Sequence, residues 1–373
     1  MMKRKKFAAA GLAFLMSVTL LTGCRCARAV EDETESMTVT EAATERVTEK
    51  ETETEEADTG FRNPLTGEVT ETDISKNRPY FVMLNTVYDA LPQRGNSKAD
   101  ILIEMMEEGG ITRVVGVYQD ITGVGELGSI RSTREYFYSW VKAFDGIDVH
   151  AGGDYWVLEK IKGEGYSTLD ALETAGGAFY RDAERQKTVS NEHTMFTTSD
   201  KLQSMTEQLG LRTTIDEDAD LTVLSFIQDG TPKKGETATY VKVTFSGYKK
   251  TEFAYDKKTG LYEVSCFDEP YVDEAADLAQ VAVTNVLVLP VPNWTALDGW
   301  SINRQKYDLS GGTGYYFCGG KAEEITWTKG DYNDEEEYAN PLKLYHEDGT
   351  ELSLGVGKTY ICVINNTMNV EFE

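Results

Sequence analysis

From about residue 80 the apolar positions fall into short runs, and their spacing changes character midway along the chain. Residues 80–84 (Tyr-Phe-Val-Met-Leu), opened by Pro79, form a continuous apolar run of the kind that fills a strand covered on both faces. Runs at 101–106 and 111–118, separated by Gly109-Gly110, predict two more strands, and 147–150 a fourth, ended by Gly152-Gly153. Between and after them the spacing is helical. Phe137, Trp140, Val141 and Phe144 share one face of a helix over 135–144, and 154–162 and 199–209 read as two further helices, the last with Gly210 in the C-cap position. Strands alternating with helices predict an α/β layer. From residue 240 the period becomes two, as in Val241-Lys242-Val243-Thr244-Phe245. Runs at 252–255 and 261–264 flank a hairpin loop with Gly260, and further runs lie at 283–291, 315–318, 325–327, 342–346, 352–354 and 360–364, with no long helical pattern. The expected organisation is an α/β (or α+β) domain at 61–230 and a mostly antiparallel β domain at 231–373, with the boundary at 228–235.

The first 60 residues follow neither pattern. Lys3, Arg4, Lys5 and Lys6 precede 15 uncharged residues at 7–21, which is signal-peptide length and short for a spanning helix. The run ends in Leu21-Thr22-Gly23-Cys24, a leucine and two small residues before a cysteine, which is the lipobox pattern. Residues 1–23 are therefore expected to be a lipoprotein signal peptide and Cys24 the lipidated residue, palmitate being one of its acyl chains. Two or three chains would anchor the protein to the membrane. Cys26 reads either as a second acylation site or as a spare thiol. From residue 31 to 58 there are 12 acids against Arg46 and Lys50, among many threonines. Such a segment cannot offset its ordering entropy, so 24–60 is expected to be a disordered acidic tether.

Charge narrows the functional classes. The 373 residues carry 37 Lys plus Arg against 63 Asp plus Glu, a net charge of -26, and residues from Thr59 onward hold 29 cations and 51 anions. An acidic body of this kind argues against nucleic-acid binding. Of the five cysteines, Cys266, Cys318 and Cys362 lie in strand-like runs, where buried free thiols are the expected state, although one pair among them stays open. Three histidines, no His-Glu-x-x-His and no Cys-x-x-Cys give no support for zinc, and no Walker loop or Gly-x-Ser-x-Gly elbow occurs. No feature indicates a cofactor. Gly123-x-Gly125-x-x-Gly128 matches a dinucleotide pattern by letters only and reads as a turn.

The candidate chemistry lies at Arg131-Ser132-Thr133-Arg134-Glu135. Ser132 and Glu135 have capping-box spacing, so a helix start is expected there, with free N–H groups beside two guanidiniums. In an acidic protein this reads either as an anion site or as two arginines in structural ion pairs. His150, at a strand end before glycines, and Arg113 and Asp100, on or beside neighbouring strands, are the other anion-site candidates, with Glu104 and Asp148 as nearby polar groups. No catalytic residue or metal ligand is assigned.

The order of several motifs resembles the YerB-like lipoprotein family, which carries a two-part domain of unknown function (3048). The motifs are Asn63-Pro64-Leu65-Thr66-Gly67, Arg78-Pro79, Ser97-Lys98-Ala99-Asp100, Glu108-Gly109-Gly110-Ile111-Thr112-Arg113, Gly128 to Arg134 and His150-Ala151-Gly152-Gly153. In the second half they are Asn285-Val286-Leu287-Val288, Gly319-Gly320-Lys321, Trp327-Thr328-Lys329 and Gly357-Lys358-Thr359-Tyr360-Ile361. The resemblance implies an extracytoplasmic lipoprotein from residue 63 to the C-terminus and names no activity. It departs at Thr133, where the family has alanine, and at Glu192-His193-Thr194, where the family has Pro-His-Asn. The first expectation for function is a membrane-anchored lipoprotein that binds an anionic small group or cell-envelope component. The alternatives are an envelope enzyme acting on phosphate-linked or glycan substrates, by weak analogy with LytR-CpsA-Psr phosphotransferases, and a purely structural surface protein. The sequence sets no oligomeric state.

Overall fold

The computed structural model describes residues 60–296, 303–330 and 340–373. The expected signal peptide, Cys24 and the acidic tether lie outside the described residues. No helix among the described residues is long and apolar enough to cross a membrane.

The apolar runs of the first half become β1 (Tyr80–Asn85), β2 (Ile101–Met106) and β3 (Thr112–Tyr118), followed by the short β4 (Glu126–Gly128). Next come α1 (Glu135–Ala143), β5 (Ile147–His150), α2 (Tyr155–Glu164), β6 (Thr168–Asp170), β7 (Tyr180–Arg181), β8 (Met195–Thr198) and α3 (Ser199–Gln208). Asp154 caps α2 by accepting from the Trp156 and Val157 amides at 2.9 and 3.1 Å, and Gly165 ends that helix with φ 60°.

The second half is mostly antiparallel, as the period-two pattern predicts. The chain thus combines a mixed α/β region with a β-rich one, the fold class expected from the sequence. The two regions share one eleven-stranded sheet. Its path runs Glu236–Thr237, Lys321–Thr328, Gly311–Cys318, Asn285–Val291, Thr359–Asn365, β2, β3, β1, β5, β6, with Lys343–His346 also paired to Lys321–Thr328. The join is the parallel pairing of β2 with Thr359–Asn365 (Ile101↔Thr359, Ile103↔Ile361), so backbone hydrogen bonds link segments on either side of 228–235.

Every residue of β1 and β3 is buried, because both faces of the sheet are covered. One face packs Phe81, Met83, Val115 and Val117 against Phe137, Trp140 and Val141 of α1 and Val157 and Ile161 of α2. The other packs Val82, Leu84 and Val114 with Leu202 of α3 and with the inner residues Val241, Phe253 and Tyr262 of a second, six-stranded sheet. Cys266, Cys318 and Cys362 are buried free thiols.

One local expectation needs correcting. Ser132 and Glu135 form no capping box: the N-cap of α1 is Arg134, in extended conformation (φ -138°, ψ 160°) and without a side-chain cap. The Ser132 hydroxyl instead donates to the Ala151 carbonyl at 2.9 Å, and Thr133 bridges Gly153 in parallel. The chain therefore stays extended for two residues longer than the Ser-x-x-Glu spacing implies.

Candidate functional site

The extended segment 129–134 lies at the C-terminal ends of β1 and β5. Asn85 N donates to Ser129 O (2.9 Å), Arg131 N to Met83 O (2.8 Å), Ala151 N to Arg131 O (2.9 Å) and Thr133 N to Gly152 O (2.9 Å). In open α/β sheets, strand C-termini of this kind are where side chains meet ligands.

The structure brings three of the sequence candidates together. Arg113, at the start of β3, is 2% exposed; it pairs with Glu107 and donates to the Ser132 carbonyl. Burial, with Arg134 and Arg131 nearby, pushes its pKa down to about 10, against the pull of Glu107. Arg134 meets Glu108 (Nη2–Oε2 2.9 Å), Glu107 (3.7 Å) and Asp154 (4.0 Å). Burial opposes its charge, yet the two glutamates carry its pKa above the ordinary arginine value. These two guanidiniums are committed inside the protein.

Arg131 differs. Its side chain is 23% exposed, and its carboxylate contact among the described residues is Glu192 (Nη2–Oε2 3.0 Å), itself 54% exposed. Arg131 holds the Glu192 carboxyl below the usual carboxylate range, with Ser190 donating to the same carboxylate at 3.2 Å. Arg181 is close enough that burial and the Arg131 charge together lower its pKa. His193, buried beside Asn85 (Nδ1···Nδ2 2.8 Å), has its pKa lowered by burial and, in smaller part, by Arg131, against the pull of Glu192. Ser132 serves the backbone arrangement described above rather than presenting its hydroxyl to solvent.

His150 does lie at the end of its strand but is fully buried within its own turn. Nδ1–H donates to Gly152 O at 2.9 Å, and Nε2 meets the Thr168 hydroxyl at 2.6 Å. Asp100 is at the opposite end of the β2–β3 pair from Arg113, about 15–20 Å away at the usual rise per residue. Its carboxylate accepts from Asn63 Nδ2 (2.9 Å) and Gln119 N (2.7 Å), and burial raises its pKa to about 6.

The sequence reading missed Glu107, Glu108, Glu192 and Arg181 as partners. Glu107 and Glu108 precede a Gly-Gly turn that reverses the chain before Arg113, a signal that was readable. Glu192 carries no such mark. A groove of about 920 Å³, lined among others by Thr231, Lys233, Glu323, His346 and Glu351, belongs to the β-rich half and includes none of the candidate residues.

Comparisons with known proteins bear on the whole chain. Residues 65–212 match the family described as protein of unknown function (DUF3048), N-terminal domain, and residues 241–361 match its C-terminal domain. The Bacillus subtilis protein YerB, whose name describes it as a lipoprotein, is 29% identical over 306 residues, covering 81% of this chain and 85% of that protein. The crystal structure of Bacillus subtilis YerB superposes with a TM-score of 0.70 at 26% identity, covering 83% of this chain and 99% of that one. With both domains matched in order and the fold shared, the chain belongs to the YerB-like family of DUF3048 proteins.

Proposed function

We propose that the protein is a lipoprotein anchored through Cys24 on the extracytoplasmic face of the membrane, and that its folded body binds an anionic group of a cell-envelope component at Arg131. The observation that carries the binding reading is the unequal use of three neighbouring arginines. Arg113 and Arg134 share Glu107 and Glu108 inside the protein, whereas Arg131 keeps solvent access and its carboxylate contact among the described residues is an exposed one, on a short 3-10 turn (Asn191–His193). An exposed ion pair contributes little to stability, so an incoming anion displaces it at small cost. The acidic surroundings do not attract polyanions at long range, which favours a small, locally held anionic group.

Two experiments test this. In full-length protein in detergent, titrated with inorganic pyrophosphate by calorimetry, Arg131→Ala is expected to weaken binding by about tenfold or more, the worth of one charge-assisted contact. Unchanged affinity in Arg131→Ala, or no pyrophosphate binding by the wild type, would remove the site. For anchoring, Cys24→Ser is expected to move the protein from the membrane fraction to the soluble fraction, or to stall its processing. Retention of a processed Cys24→Ser protein on the membrane rules out the lipid anchor.

A further inference from the structure

A guanidinium presents its Nε–Nη edge as a two-pronged donor, and a group with two oxygens fills that edge with parallel bonds. Glu192 fills only half of the edge on Arg131. Nη2 meets Oε2 at 3.0 Å, while the buried Nε has no hydrogen-bond partner among the described residues. The same extended segment holds a second unmet group, the hydroxyl of Ser129, which is fully buried and has no hydrogen-bond partner among the described residues. Buried polar atoms are normally satisfied, so two of them two residues apart beside an accessible cation point to a group that supplies oxygens.

Charge and anchorage sharpen the picture. Arg131 and Arg181 face one another's fields, with Glu192 as the carboxylate contact of Arg131. Asp89, exposed, also acts on His193, favouring its charged form in small part. The backbone of the turn that carries Glu192 is held independently of that side chain: Arg181 Nη1 donates to Asn191 O at 2.5 Å and His193 is fixed to Asn85, while the Glu192 carboxylate itself meets, besides Arg131, Ser190 Oγ at 3.2 Å and His193 Nε2 at 3.7 Å. The Glu192 side chain can therefore swing away without unfolding its support.

We infer that Glu192 is a tethered stand-in for the ligand, and that the group which displaces it is a dianionic phosphate monoester engaging both Nε and Nη2 of Arg131. A phosphate monoester brings close to two negative charges and three acceptor oxygens, enough for the fork and a further donor. A carboxylate brings one charge and two oxygens. The inference rests on the anion-site reading above and adds to it a built-in competitor and a ligand class.

The test uses full-length protein in detergent, with methyl phosphate, dimethyl phosphate and acetate as probes. Glu192→Gln removes the competing charge at an exposed position and is expected to tighten methyl phosphate binding by about tenfold. Arg131→Lys keeps the charge but loses the fork, and is expected to weaken methyl phosphate by a similar factor while leaving thermal stability unchanged. If the wild type binds methyl phosphate and Glu192→Gln binds it no tighter, the stand-in role is overturned while the anion site stands. If acetate or dimethyl phosphate matches methyl phosphate in Glu192→Gln, the ligand class is overturned. If no probe binds to either protein, the anion-site reading itself falls.

Discussion

Replacing Glu104 by alanine is expected to destabilise the folded body by roughly 3–5 kcal/mol, the range seen when one partner of a buried ion pair is removed. Glu104 is on β2, fully buried on the face that meets the second sheet. Its carboxylate accepts from Thr112 Oγ1 (2.6 Å), Thr251 Oγ1 (2.7 Å) and Tyr360 OH (2.8 Å), and pairs with Lys249 Nζ at 3.3 Å. Those partners come from β3, from Lys250–Asp256, from Thr359–Asn365 and from the turn before Lys250, so one side chain ties the two sheets together. Lys249 is 2% exposed; burial opposes its charge, and Glu104 nevertheless lifts its pKa above the ordinary value. Without Glu104 that ammonium loses its carboxylate and the Thr251 and Tyr360 hydroxyls lose their acceptor, while Thr112 keeps its contact with Thr86 Oγ1 at 3.1 Å. Urea denaturation reads the loss. A second variant separates ion pairing from packing: Glu104→Leu with Lys249→Met removes both charges and is expected to recover much of the stability. A Glu104→Ala midpoint within experimental error of wild type would show that the carboxylate does not hold the sheets together.

The position of Glu104 illustrates what local pattern conveys and what it does not. The runs of β1, β2, β3 and β5 were readable because strands buried on both faces need apolar stretches, and α1 because Phe137, Trp140, Val141 and Phe144 recur at helical spacing, although the fold buries that helix on nearly every side and leaves only Glu135 and Lys142 partly exposed. Alternation at residues 241–245 was readable for the converse reason: only one face of that sheet is covered. Nothing local indicates that β2 pairs with a strand more than 250 positions away, so the shared sheet was not legible. That pairing is chosen by shape and burial across the finished fold, to which periodicity is blind.

The candidate site divides along the same line. Arg131 and Arg134 are three positions apart in the chain, and a Gly-Gly turn returns Arg113 toward them, so their clustering followed from sequence. The capping box did not form because Ser132 found the Ala151 carbonyl, a partner that exists only once β5 has packed beside the segment. His150 sits at the end of its strand as expected, yet both ring nitrogens are used inside the fold, Nδ1 by the Gly152 carbonyl of its own turn and Nε2 by the Thr168 hydroxyl of β6. Asp100 was grouped with the arginines because the pattern locates strands without saying which end of a strand faces which. Glu192 was invisible as a partner for a compositional reason: one acid among 63 carries no signal until the fold places it beside Arg131.

A second carboxylate on the sheet sets a pH-dependent stability. Asp148, on β5, is fully buried; the Thr133 hydroxyl beside it is a poorly aligned donor, and neither carboxylate oxygen has a well-formed hydrogen bond among the described residues. Burial raises its pKa from 3.8 to about 6, with His150 and Thr133 pulling the other way and Asp170 adding to the rise. The folded protein therefore holds this proton more tightly than the unfolded chain. Where the folded state binds more protons, stability falls as pH rises. The decline attributable to Asp148 starts near pH 4, runs to just above pH 6 and then levels off, amounting to about 3 kcal/mol at 1.36 kcal/mol per pKa unit. Asp100, also raised to about 6 by burial, contributes in the same window but has two hydrogen-bond donors. Asp148→Asn, which keeps the shape and cannot ionise, is expected to flatten its share of the decline and to stabilise the protein by roughly 1–3 kcal/mol at pH 8 relative to wild type. The measurement is thermal or urea unfolding of wild type, Asp148→Asn and Asp100→Asn between pH 4 and 8. If Asp148→Asn were less stable than wild type at pH 8, the ionised carboxylate would have to be a favourable element of the fold, and the reading of Asp148 as a strained, proton-holding group would be wrong. A gain at pH 8 that vanishes at pH 4 is the signature expected. It would mean that the segment 131–134, which packs its Thr133 over Asp148, rests on a group whose charge changes in the mildly acidic range.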